Sequence, residues 1–141
     1  MMQWVPYGAT IDEFRAHVRS FRTVFPHVSM LFGPGGYGMY MLGSDQPMTF
    51  DDATTREVLG RPGILDDISS AYDSPEHTVD GWIARIHSLS WISDDQIDRF
   101  VGSGPLVTDD HPLPEYFLLR RLFNQNVPMA TPDVLLRLTG A

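Results

Sequence analysis

Cysteine and lysine are both missing from the 141-residue chain. Without cysteine there is no thiol nucleophile, disulfide or cysteine-ligated zinc, and composition leaves the redox compartment unwritten. Without lysine there is no Schiff base and no Walker-type phosphate lysine, because all ten basic residues are arginine. Positive charge is scarce as well: ten arginines face eighteen acids, for a net charge of −8. That balance argues against nucleic acid and anionic membranes as partners, since both require a basic footprint. No apolar run reaches membrane-spanning length, and "MMQWVPYGATIDEF" has neither the basic start nor the apolar centre of a leader. The expectation is a cytoplasmic chain without a membrane segment of its own. No G-x-S-x-G elbow supports serine hydrolysis. What is present is enough for one domain, because 43% hydrophobic residues in 141 can enclose a core.

The local signals are orderly. "QWVPYG" has the character of the end of an extended segment, punctuated by Pro6 and Gly8. Thr10 followed by Glu13 makes a capping box, and Ile11, Phe14, Val18, Phe21 and Phe25 repeat at helical spacing until Pro26. This predicts a helix over residues 10–25 with one buried face. "HVSMLF" (27–32) and "YGMYMLGS" (37–44), joined through Gly33-Pro34-Gly35-Gly36, predict two antiparallel strands, with Met39 and Met41 on a buried face. Short helices are expected afterwards. One starts near Asp51 or Asp52 and ends at Gly60, and another runs across "HTVDGWIARIHSL", where Trp82 and Ile86 share a packed face. A third is capped by Ser93 and Gln96 and carries Ile97 and Phe100; one more includes Tyr116, Phe117, Leu119 and Phe123; a last one begins at Thr131-Pro132. The fold class is α/β, yet one strand, a helix and a hairpin are too little sheet for a doubly wound domain.

Few residues invite chemistry. "GPGGYG" lacks the strand-loop-helix context and the lysine of a phosphate cradle, so a hairpin turn is the better reading. His17, His27, His77, His87 and His111 are scattered, and none is assigned as a base; His17 falls near the apolar face of the first helix. "LVTDDHPLPEYFLLRR" (106–121) is denser. Asp109, Asp110, His111 and Glu115 are residue types that ligate divalent metals, which makes a metal-dependent hydrolase the third-ranked function. The preferred reading is a structural strap, in which the acids cap a helix or bind backbone and arginine partners while Tyr116 and Phe117 pack on the body.

Three stretches in order, "QWVPYGATIDEFRAHVRSFRTVFPHVSMLF", "GMYMLGS" and "TDDHPLPEY", resemble the C-terminal half of spermidine synthase-like proteins, most closely a bacterial group. The resemblance covers most of the chain. It implies part of a class I S-adenosylmethionine-dependent methyltransferase (Rossmann-like) fold. Residues 1–48 would be the end of strand five, a helix and the antiparallel strands six and seven; residues 49–141 would be a helical C-terminal extension of the same domain. The family transfers an aminopropyl group from decarboxylated S-adenosylmethionine to a diamine. Gln3 matches a glutamine that lies near the attacking amine, which implies substrate binding through an orienting amide. Thr108, Asp109, Asp110, Pro112, Glu115 and Tyr116 match the structural motif. Two departures concern the acceptor: Trp4 stands where polyamine synthases commonly have an acid, and Gly33-Pro34 replaces a Tyr-Pro pair.

The resemblance assigns the nucleoside-binding turn and the catalytic aspartates to strands without counterparts here, so no catalytic residue, metal or resident cofactor is expected in the chain by itself. The leading expectation is a C-terminal fragment of such a transferase, inactive alone. Its partner would be the missing N-terminal half or a second copy. The alternative is a non-catalytic binding or oligomerisation module that pairs through an exposed sheet edge.

Overall fold

The computed structural model describes residues 1–5, 8–33, 38–71, 76–110, 112, 122–123 and 127–141. They form a mixed α/β structure with a four-stranded antiparallel sheet and, among the described residues, six helices. Strand β1 (Met2–Val5) leads into α1 (Ile11–Val24), followed by β2 (His27–Phe32) and β3 (Met39–Ser44). Then come α2 (Asp52–Leu59), α3 (Ile64–Ala71), α4 (Val79–His87), β4 (Trp91–Ile92), α5 (Asp94–Val101) and α6 (Pro132–Thr139). The chain divides into two compact units: residues 1–48 with 90–141, and residues 49–89. The segment expected as one helical extension is thus shared out, residues 90–141 associating with the strands and 49–89 forming their own cluster.

In the first unit the sheet order is β1-β3-β2-β4, every neighbouring pair antiparallel. Since β1 and β2 both oppose β3, they run parallel to each other, and α1 is the crossover that such a pair requires. The expected hairpin is present, closed by Gly33 N–H donating to the Gly38 carbonyl at 2.9 Å. Residues 34–37 of the expected turn lie outside the described residues. Strand β4 has no counterpart in the sequence-based reading; two residues are too short to show a period of two.

Helix α1 forms where the capping box predicts it. Thr10 N–H donates to Glu13 Oε2 at 2.8 Å, and Glu13 N–H returns to Thr10 Oγ1 at 3.3 Å. Phe14, Val18 and Phe21 are buried and belong to one core with Val28, Met30 and Phe32 of β2, Met39 and Met41 of β3, and Ile92 of β4. Ile97, Phe100 and Val101 of α5 and Leu135 of α6 complete it. Gln96 Oε1 accepts the Ser93 N–H at 2.8 Å at the start of α5, as the Ser93–Gln96 spacing suggests. Thr131 caps α6, Pro132 opens it, and Gly140 ends it in the left-handed region at φ 70°.

The second unit is helical. Asp51 accepts from Thr54 N–H at 2.8 Å to start α2, which Gly60 closes as expected. Trp82 and Ile83 of α4 bury against Leu59, with Ile64, Leu65 and Ile68 alongside. The indole N–H is satisfied inside by Ser69 Oγ at 3.1 Å, and Ser69 in turn donates to the Glu76 carbonyl at 2.9 Å.

Gly43 shows how closely α1 sits on the sheet. A Cβ there would lie 2.5 Å from the Phe25 ring and 2.6 Å from Phe21, whose rings pack with centroids 4.7 Å apart. Gly43→Ala is therefore expected to destabilise the first unit by about 1–3 kcal/mol through overpacking. Val24→Ala, at a position 68% exposed, should change stability by no more than about 0.5 kcal/mol. Urea denaturation followed by tryptophan fluorescence checks both, and equal midpoints for the two variants would contradict this packing.

Candidate functional site

The two faces of the sheet differ sharply. Val5, Met39, Met41, Val28, Met30, Phe32 and Ile92 fill the core side. Across the other side, register aligns Trp4 with Tyr40, Tyr40 with Leu31, and Leu31 with Trp91, a row through all four strands. Directly opposed residues in antiparallel pairs project from the same face, so these four side chains share one surface. Trp4 is 57% exposed, Trp91 39%, and Met2 in the adjoining row 66%. The free edge of β1 has no strand partner among the described residues, and Met1–Val5 carries none of the charged side chains or prolines that usually blunt an edge.

Where this face meets α5, a cavity of about 180 Å³ opens, lined by His27, Ser29, Met48, Trp91, Ser93 and Asp94 among others. Asp94 is its electrostatic centre. Its Oδ1 accepts from the Val28 N–H at 2.9 Å and from Arg22 at 2.6 Å, and its Oδ2 lies 2.8 Å from His27 Nδ1. Arg22 also reaches Asp98 at 2.9 Å. Partial burial opposes ionisation of Asp94, but the Val28 N–H, His27 and the Arg22 charge outweigh it and hold the carboxyl below its ordinary value of 3.8. With its oxygens already engaged by three groups, Asp94 serves as a junction. Among the described residues no serine donates to a histidine.

Gln3 sits on β1 opposite Met41, on the core-side face with Val5. It is half-buried, and its side-chain amide has no hydrogen-bond partner among the described residues. Trp4 projects from the opposite face. Thr108, Asp109 and Asp110 are exposed, and Pro112 is half-buried; His111, Glu115, Tyr116 and Phe117 lie outside the described residues. The chain leading into this motif is held by side chains that sequence reasoning missed. Arg19 of α1 donates to the carbonyls of Val101 at 2.6 Å, Gly102 at 3.2 Å and Ser103 at 3.3 Å, and also to that of Pro105. Ser20 Oγ accepts the Val107 N–H at 2.7 Å. Residues 101–107 are thus fastened to α1 by Arg19 and Ser20, while the strap expected from Asp109, Asp110 and Glu115 falls largely outside the described residues. Among the described residues no group of three histidines or acids converges on a metal position. His17 is half-buried with Nε2 unpartnered, and burial lowers its pKa, which keeps it neutral.

No protein-family model matches the chain, and neither a curated protein nor a solved structure shows significant similarity to it.

A group whose folded pKa is depressed adds stability above its unfolded pKa and loses it as pH falls through the folded value. Asp94 is such a group. Asp94→Asn should therefore cost about 1–2 kcal/mol near neutral pH, with the gap to the unsubstituted chain closing below about pH 4. Urea melts of both proteins between pH 3 and 7 measure that gap; one independent of pH would remove Asp94 from its junction role.

Proposed function

We propose that this chain is the C-terminal, acceptor-side part of a spermidine synthase-like aminopropyltransferase domain with a methyltransferase-type sheet, working in the cytoplasm and inactive by itself. The observation that carries this reading is the element order: a short strand, a capped crossover helix, and an antiparallel hairpin, with the first strand left at an open edge. That is the arrangement implied by the resemblance for strands five, six and seven. The partly exposed row Trp4, Tyr40, Leu31 and Trp91 and the free edge of β1 are where further strands and their helices would pack. On this reading decarboxylated S-adenosylmethionine binds to elements outside this chain. Gln3 contributes an amide that orients the neutral amine of the acceptor while it displaces methylthioadenosine and then loses its proton. Residues 101–107, fastened to α1 by Arg19 and Ser20, belong to the body of this part.

A second reading rests on the strand edge. Met1, Met2 and Trp4 are all more than half exposed on an uncharged strand, a template for strand addition by another chain. Here the chain is a binding or oligomerisation module without chemistry.

Calorimetric titration with decarboxylated S-adenosylmethionine, S-adenosylmethionine and methylthioadenosine tests the first reading, combined with sedimentation velocity. The expected outcome is no nucleoside binding and concentration-dependent self-association that Trp4→Lys reduces. Binding at about micromolar strength would overturn the claim that the donor site lies elsewhere. A stable monomer at every concentration would count against the edge-pairing module.

A further inference from the structure

We propose that the groove between α1 and the loop after α5 is a binding site for a small phosphate-bearing anion, a phosphate monoester or diphosphate. The groove encloses about 480 Å³ and is lined by Arg15, Arg19, Arg99, Phe100, Ser103 and Asp12 among others. Three arginines and one aspartate therefore line one groove in a chain whose net charge is −8. The volume is that of a small-molecule site rather than of a bare ion.

The three arginines are not equivalent. Arg19 spends its donors on the carbonyls of Val101, Gly102, Ser103 and Pro105, so it builds the floor and contributes charge only. Its approach depends on glycine: at Gly104, with φ 155°, a Cβ would lie 2.9 Å from the Arg19 guanidinium. Arg15 is oriented by its Nε donating to the Phe100 carbonyl at 3.1 Å and by its position 5.1 Å from the Phe100 ring centroid. Among the described residues its terminal nitrogens have one partner, Asp12, through a 3.5 Å contact to a carboxylate that is 94% exposed. Such a pair is weak and readily displaced. Arg99, in the last turn of α5, has no hydrogen bond or ion pair among the described residues.

Structural need accounts for Arg19 and for one nitrogen of Arg15, since the last carbonyls of a helix need donors and favour positive charge. It does not account for the donors of Arg15 and Arg99 that have no partner among the described residues. Planar guanidinium forks match phosphate oxygens in pairs, and two of them flank a dianion better than a single carboxylate. Ser103 lines the same groove.

The test is calorimetric titration of the full chain with inorganic pyrophosphate at low ionic strength, supported by phosphorus NMR. We expect one saturable site of about millimolar affinity or tighter that weakens as salt is added. Arg99→Ala should weaken it at least about fivefold, and Asp12→Asn should tighten it by removing the competitor for Arg15. Arg99 is exposed and has no partner among the described residues, so its removal should leave the fold intact, which a matching melting curve verifies. The proposal is overturned by absence of saturable binding, or by undiminished binding in Arg99→Ala. An equal loss in Arg56→Ala, on the second unit, would also overturn it by showing diffuse charge attraction.

Discussion

Helix α5 is pinned at both ends to α1 and its neighbouring strand, and the first unit depends on that constraint. At its start the Asp94 carboxylate gathers the Val28 N–H, His27 and Arg22. At its end Arg15 and Arg19 take up the carbonyls of Phe100, Val101 and the loop beyond. Acid at the helix start and base at its end follow the dipole, and both sets of partners come from residues about seventy to ninety positions away. Pinning α5 in this way sets Ile97 and Phe100 over the methionines of β2 and β3, and it holds β4 beside β2. The core side of the sheet is closed as a consequence.

The other face is covered only in part. Covering elements in the first unit gather on the face of Met39 and Met41, while the row from Trp4 to Trp91 stays in partial contact with solvent. An antiparallel sheet tolerates one wet face when that face is polar. Here it carries two tryptophans, a tyrosine and leucines, and its first strand ends in an unpaired edge. That mismatch between composition and exposure is why a larger assembly, whether the remainder of a transferase domain or another chain, is the reading preferred for this protein.

Much of the fold was legible along the chain. The Thr10–Glu13 box, the phenylalanines of α1, Pro26 as terminator, the hairpin, Gly60, Gln96 at the start of α5 and the Thr131-Pro132 start all carry signals that act within a few residues, and each element stands where its signal places it. The candidate site was less legible. Gln3 was picked out by resemblance, whereas Asp94, Arg19 and Arg15 carried no mark, because an acid in the first turn of a helix or an arginine on its outer face normally meets only water. Strand β4 was invisible for the same reason: two residues become a strand only when β2 offers them a ladder.

Sequence alone determined the α/β class, the capped helices, the hairpin and the exclusion of thiol and lysine chemistry. Those conclusions rest on composition and on hydrogen bonds that span three or four residues. Tertiary structure decided which arginines became fasteners, which sheet face closed, and that residues 49–89 stand as a unit of their own. Those outcomes depend on partners dozens of residues apart, and a guanidinium on a helix surface has no role until folding brings a carbonyl, a carboxylate or an empty groove within its reach.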